Sequence, residues 1–179
     1  MAFSRIFILM GLVFILFGCG HLEMSTYHNQ SNGYVTQKRS PSGFIQGPFQ
    51  LHWPVDNVRL TQKFRPKKRR PHQGIDLGGQ RHTPIFAAHE GYVIYAGSGF
   101  KGYGRMIIVQ YDNQWASLYA HLQKIQVKEG DYVSTRQQIG TMGRTGRATG
   151  VHLHFELMED QIPIDPLPYL EKDHRIVKY

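Results

Sequence analysis

Val151-His152-Leu153-His154-Phe155-Glu156-Leu157-Met158 alternates apolar with polar side chains as far as Leu157. Successive side chains of a β-strand point to opposite faces. This segment therefore reads as a strand with Leu153 and Phe155 toward a core and His152, His154 and Glu156 on the other face. Upstream, short apolar runs are separated by glycines and turn residues: Pro84 to Ala88, Gly91 to Ala96, Arg105 to Tyr111 and Trp115 to Leu122. Shorter ones follow at Ile125 to Val127, Tyr132-Val133 and Gln138 to Gly140. β-Branched and aromatic residues dominate, and turns recur every eight to twelve residues, as in sheet proteins. No stretch carries a 3.6-residue apolar stripe of helical length. The expected fold is all-β and mainly antiparallel, a two-layer sandwich or folded sheet.

The chain has 179 residues, 41% of them hydrophobic, so it can bury a sizeable core and is not disordered throughout. It holds 21 Lys and Arg against 13 Asp and Glu, a formal +8, which favours an anionic partner. One cysteine excludes an intrachain disulfide and any zinc finger built from several thiolates. Ten histidines invite a metal or proton-transfer reading without saying which of them matter.

The single cysteine sits at the end of the N-terminal apolar run, Ile6 to Phe17, which follows Arg5. That run has the length of a signal-peptide core and is shorter than a transmembrane helix of about 20 residues. It ends Leu16-Phe17-Gly18-Cys19, which resembles a bacterial lipobox, although Phe17 is bulkier than that pattern usually has. The resemblance implies cleavage after residue 18, lipidation of Cys19 and export to the cell envelope. Several acyl chains, at about 0.8 kcal/mol per buried methylene, would anchor the protein firmly. Gly20 stands where an aspartate would resemble an inner-membrane retention signal, so sorting to an outer membrane facing the periplasm is expected where the cell has one. Export removes nucleic acid as the partner of the positive charge. Residues 19–50, rich in Ser, Gly, Asn, Gln and Thr, read as a tether with a mean reach of about 30 Å. The expected domain spans residues 51–170, followed by a tail at 171–179.

Three segments carry the informative histidines: His72-Gln73-Gly74-Ile75-Asp76, Tyr119-Ala120-His121-Leu122 and His152-Leu153-His154-Phe155-Glu156. Alone, the third could be two surface histidines, a pair sharing a metal, or one ligand beside one group contacting water. The first segment adds an imidazole and a carboxylate, both good zinc ligands, spaced by Gly74, a residue free of the usual backbone limits. With one histidine from the third segment, the set is two His and one Asp with a position left open. That composition suits a catalytic zinc site, because structural sites close all four positions.

Together, in this order, the three motifs resemble the lysostaphin or LytM-type zinc endopeptidases of peptidase family M23. The flanks agree: Asp131-Tyr132-Val133, Gln138-Ile139-Gly140, Thr145-Gly146, Thr149-Gly150 and Asp165-Pro166-Leu167. The resemblance implies one zinc ion held by His72, Asp76 and His154, with His121 and His152 as catalytic histidines. It also implies hydrolysis of peptide bonds in peptidoglycan stems or crosslinks. Outer-membrane sorting would point to D-alanyl–diaminopimelate crosslinks, whereas the best-known relatives cut glycine bridges. Members of the family that only activate cell-wall amidases typically lack several of these five residues, and this chain keeps all five. The chain departs from the family pattern at Arg81-His82 before Thr83-Pro84 and at Arg105 after Tyr103-Gly104.

Other signals carry less. Gly97 to Gly102 matches G-x-G-x-x-G, but a strand and not a helix follows, so it reads as a turn. His89-Glu90 lacks the second histidine of H-E-x-x-H, because Val93 stands there. Gly143 to Gly150 reads either as a groove wall that places Arg144 and Arg147 near substrate or as plain turn glycines. Six cations between Lys63 and Arg70 form either a solvated loop or a contact with anionic lipid or wall carboxylates. Glu156, on the face of His152 and His154, could support a ligand from behind. The expected function is a lipid-anchored peptidoglycan endopeptidase. The alternatives are a non-enzymatic regulator of a cell-wall amidase and a structural wall-anchoring lipoprotein.

Overall fold

The computed structural model describes residues 49–57, 59–69 and 71–172. The signal peptide, Cys19, the linker through residue 48, Arg70 and the tail from residue 173 lie outside the described residues. The described chain forms eleven strands and one 3-10 turn, Leu167–Tyr169. They are β1 (Arg59–Gln62), β2 (Ile75–Gly78), β3 (Pro84–Phe86), β4 (Gly91–Gly97), β5 (Met106–Gln110) and β6 (Trp115–Ala120). The rest are β7 (Leu122–Ile125), β8 (Tyr132–Val133), β9 (Gln138–Met142), β10 (His152–Glu159) and β11 (Ile162–Ile164).

Eight strands build a large sheet in the order β1-β2-β10-β6-β5-β4-β8, with β11 paired to β10. The other three form a small sheet, β3-β9-β7. All these strand pairs are antiparallel, as expected from the sequence.

Alternation explains which face does what. Ile75 and Leu77 of β2, Tyr119 of β6 and Leu153 and Phe155 of β10 are fully buried on one face of the large sheet. They share a core with Ile85, Leu122, Ile139 and Met142 of the small sheet. Phe155 lies between Ile75 and Tyr119 in the register, and burial of such a side chain contributes roughly 1.5–3 kcal/mol. The opposite face carries Asp76, His154 and Glu156, flanked by an apolar group of Met106, Leu118 and Ala120 with Tyr103 and Met158 packed on it. The same pleat thus separates core from chemistry.

The chain from Trp115 to Leu122, which reads as one strand, is broken in the structure at His121. That residue has a φ of 61° and divides β6 from β7. β2 alternates Ile75 and Leu77 with Asp76, but it is only four residues long and buried throughout.

One polar chain crosses the core. The Ala88 N–H donates to the Tyr119 hydroxyl at 2.8 Å, and the Tyr119 and Ser117 hydroxyls lie 2.9 Å apart. Ser117 Oγ lies 2.7 Å from His89 Nε2, and His89 Nδ1–H donates to the Glu90 carbonyl at 2.7 Å. Burial pushes the His89 pKa down from 6.5 to about 4, so its ring is neutral in the folded protein at neutral pH. Between these values the unfolded chain binds the extra proton and the folded chain does not. Stability from this group is therefore complete above pH 6.5 and is lost as pH falls toward about 4. Thermal denaturation across this range should give a falling midpoint for the native protein and a flatter profile for His89→Gln. Parallel profiles would show that His89 does not set the dependence.

Candidate metal centre

Register places the first three residues. β10 pairs with β2 so that His154 stands opposite Asp76, and with β6 so that His154 stands opposite Ala120. Cross-strand neighbours have Cβ atoms about 4.5–5.5 Å apart, close enough for direct contact. His72 enters just before β2, where its backbone bridges to Arg65. Gly74 between them is required by space and not by an unusual φ. A Cβ there would lie 2.2 Å from the Phe155 carbonyl oxygen.

The donor atoms form a nearly equilateral triangle. His72 Nε2 lies 3.0 Å from Asp76 Oδ1 and 3.1 Å from His154 Nδ1, and His154 Nδ1 lies 2.9 Å from Asp76 Oδ1. The other ring nitrogens fix the tautomers. His72 Nδ1–H donates to the Lys63 carbonyl at 2.9 Å, and His154 Nε2–H donates to Glu156 Oε1 at 2.8 Å. Both partners only accept, so in the neutral rings His72 Nε2 and His154 Nδ1 are lone pairs. Three lone pairs then point at one another across about 3 Å, and only a cation can hold them there.

In the metal-free chain that cation is a proton. Burial pushes the His154 pKa down, but Asp76 and Glu156 outweigh burial and raise it from 6.5 to about 9. Burial likewise raises the Asp76 carboxyl, yet the hydrogen bond from protonated His154 and the neighbouring His72 and His152 imidazoles hold it well below the usual carboxylate range. Zinc fits the same place. Tetrahedral bonds of about 2.0–2.1 Å set donors about 3.3 Å apart, and two nitrogens with one oxygen is a common open donor set. A metal taking this site displaces the proton.

His121 and His152 complete the group. Their rings lie 4.7 Å apart, and His121 is 5.9 Å from His154. His121 Nδ1–H donates to the Thr145 carbonyl at 2.8 Å, and His152 Nδ1–H donates to the Gly150 carbonyl at 3.0 Å. Each therefore keeps a free lone pair on Nε2. His152 Nε2 is 3.7 Å from Asp76 Oδ2. Burial and the adjacent His152 hold the His121 pKa down to about 4. The left-handed backbone of His121 is uncommon for a non-glycine residue, and such positions cluster at functional sites.

The structure thus brings together all five histidine and aspartate positions singled out in the sequence. Arg144 and Arg147 are exposed on the segment before β10. Arg144 Nε donates to the Ala148 carbonyl at 3.3 Å, and the Arg147 backbone N–H donates to the Gly102 carbonyl at 2.8 Å. Among the described residues neither guanidinium bonds to any of the five. Sequence reasoning missed Tyr103, whose hydroxyl donates to Glu156 Oε1 at 2.9 Å. Burial and the Glu156 charge raise the pKa of Tyr103, which keeps it a donor. No spacing in the sequence links residues 103 and 156, so only the fold reveals this contact. The two glycine turns do meet: a Cβ on Gly146 would lie 2.4 Å from the Gly102 carbonyl oxygen.

Glu156→Ala is expected to weaken zinc binding about 10–100-fold, because the group that orients His154 is lost. Competition against a chelating dye measures this. Unchanged affinity would remove Glu156 from the site. Gly74→Ala should lower zinc content by pushing β2 from β10, and full occupancy in that variant would contradict the close-approach argument.

Comparison with known proteins agrees with this geometry. The family model described as peptidase family M23 matches residues 70–166. The chain is 43% identical over 100 residues to a protein of Pseudomonas aeruginosa named lipoprotein NlpD/LppB homolog, covering 56% of this chain and 33% of that one. It is 34% identical over 153 residues to peptidoglycan DD-endopeptidase ShyA of Vibrio cholerae, covering 81% and 34%. It is 38% identical over 118 residues to murein hydrolase activator NlpD of Escherichia coli, covering 66% and 30%. The matches thus span about a third of these relatives' lengths. Among solved structures, a zinc-containing peptidase from Vibrio cholerae aligns with a TM-score of 0.62 and 32% identity, covering 68% of this chain and 39% of that one. The catalytic domain of the antimicrobial peptidase lysostaphin from Staphylococcus simulans aligns with a TM-score of 0.59 and 33% identity, covering 63% and 92%. With its motifs, its two-sheet fold and its family match in agreement, the chain belongs to peptidase family M23.

Proposed function

We propose that this protein is a zinc-dependent endopeptidase that hydrolyses peptide bonds in peptidoglycan and is held in the cell envelope by a lipid on Cys19. The observation that carries the reading is the convergence of three lone pairs beside two further histidines whose Nε2 atoms are also free. His72, Asp76 and His154 would hold the metal. Zinc bound there supplies Lewis acidity toward water and a carbonyl oxygen.

The remaining chemistry belongs to the protein's own side chains. His121 and His152 each hydrogen-bond through Nδ1, to the Thr145 and Gly150 carbonyls, which makes Nε2 the proton-accepting atom of the neutral ring. Such a nitrogen can accept a proton from attacking water and return it to the leaving amine. Once protonated, the same ring can stabilise negative charge on the carbonyl oxygen. Glu156 and Tyr103 fix the His154 ring, and Thr145 fixes that of His121. The fixed rings reduce the reorganisation needed during reaction.

The lipid anchor is supported by Leu16-Phe17-Gly18-Cys19 and by relatives named as lipoproteins. Gly20, in place of the aspartate of a retention signal, supports placement at an outer membrane where the cell has one. A second reading, a non-enzymatic regulator of a cell-wall amidase, is favoured by the relative named as a murein hydrolase activator. The intact five-residue set weighs against it, because a regulator has no use for two free imidazoles beside a metal site.

The purified zinc-loaded protein should release soluble peptides from crosslinked peptidoglycan, and mass spectrometry should identify the bond cut. A chelator should stop release and added zinc should restore it. His154→Ala should lose both zinc and activity, whereas His121→Ala should keep zinc and lose roughly 100-fold or more in rate. A zinc-loaded native protein that cuts no wall preparation, yet raises the activity of an amidase, would establish the regulatory reading instead. Cys19→Ala should move the protein from the membrane to the soluble fraction, and unchanged fractionation would reject the anchor.

A further inference from the structure

A cleft of about 430 Å³ is lined by Gly97, Ser98, Arg105, Gln123, Lys124 and Ile125, the last three on β7, which follows His121 in the chain. Two of these six residues are cations and none is acidic. A third cation stands close: Arg81 Nη1 donates to Gln123 Oε1 at 2.8 Å, while Arg105 Nη1 donates to the Gln123 carbonyl at 3.0 Å. Among the described residues, Arg81, Arg105 and Lys124 have no carboxylate partner. Like charges gathered around one glutamine repel one another, and an anion in the cleft relieves that repulsion. The single bond to Gln123 orients the Arg105 guanidinium and leaves most of its five N–H donors for a ligand. A planar guanidinium with free donors matches a carboxylate, which it can hold through two parallel hydrogen bonds.

The cleft is tied to the proposed catalytic group by backbone. The Arg105 N–H donates to Thr145 Oγ1 at 2.9 Å, and the Thr145 carbonyl accepts from His121 Nδ1 at 2.8 Å. The Leu122 N–H donates to the Arg105 carbonyl at 3.0 Å, and Thr145 Oγ1 donates to the Leu122 carbonyl at 2.9 Å. Gln123 and Lys124 then continue β7 directly from His121. A group bound at Arg105 is therefore held at a fixed place relative to the His121 ring.

We propose that this cleft is a carboxylate-binding subsite, with Arg105 as its main contact, which selects peptides bearing a free carboxylate near the bond that is cut. The identity of the ligand as a peptide rests on the endopeptidase reading. Arg105 is the specificity residue, Lys124 adds charge, and Arg81 holds Gln123 in place.

The test uses the full-length chain in detergent, loaded with zinc and carrying His121→Ala so that binding is read without turnover. The probes are a purified crosslinked wall-peptide dimer with its carboxylates free and the same dimer with them converted to carboxamides. Calorimetry should show about tenfold or tighter binding of the carboxylate form, as charge-assisted hydrogen bonds give. Adding Arg105→Gln should remove that preference by weakening only the carboxylate form, with zinc content unchanged, and Arg105→Lys should restore part of it. Equal binding of the two dimers, no binding of the carboxylate dimer, or an equal loss of both on Arg105→Gln overturns the proposal. Hydrolysis by the native chain is read separately. A chain that binds through Arg105 but cuts nothing keeps the subsite and loses the peptidase reading. A chain that cuts both dimers equally keeps the peptidase reading and loses the subsite.

Discussion

The structure is organised around three lone pairs held about 3 Å apart in a place that only a cation can fill. Unlike charge and hydrogen-bonded rings keep them there, but they meet because of an antiparallel register. β10 lies between β2 and β6, so His154 stands opposite Asp76 on one side and Ala120 on the other. A slip of one residue would turn His154 and Glu156 into the core and bring Leu153 and Phe155 out. The apolar face of β10 therefore fixes the chemistry of its polar face. Phe155, fully buried and paired in register with Ile75 and Tyr119, thus helps to fix where His154 stands.

Support for the site comes in layers, each fixing the one before it. The Lys63 carbonyl sets the tautomer of His72, Glu156 sets that of His154, and Tyr103 holds Glu156. Thr145 holds His121, and its hydroxyl ties the same loop to Leu122 and Arg105. The loops that close this region approach through backbone, which is why glycines stand at 104 and 146. Two imidazoles held through their Nδ1 atoms beside the His72, Asp76 and His154 triangle are a poor arrangement for packing.

The sequence disclosed the parts whose signals are local. Alternation from Val151 to Leu157 identified β10 and which face it turns to the core. Three short motifs identified the five residues that the fold assembles. What stayed hidden depends on contacts distant in sequence. β2 is only four residues long, too short for its alternation to stand out, and the break at His121 comes from a backbone turn that residue type does not announce. The need for Gly74 was legible, but its reason was not: the limit is the nearby Phe155 carbonyl and not its own backbone angle. Tyr103 joins Glu156 across 53 positions, and the Arg105 cleft exists only once the chain at Arg105 meets Leu122 and Gln123.

The central claim is that His72, Asp76 and His154 hold a single zinc ion on the outer face of the large sheet. Diffraction from zinc-loaded crystals, recorded on both sides of the zinc absorption edge, tests it most directly. One anomalous peak is expected about 2.0–2.1 Å from His72 Nε2, Asp76 Oδ1 and His154 Nδ1, with a fourth position facing His121 and His152. A peak elsewhere, or none at this triangle in protein that retains zinc, would contradict it.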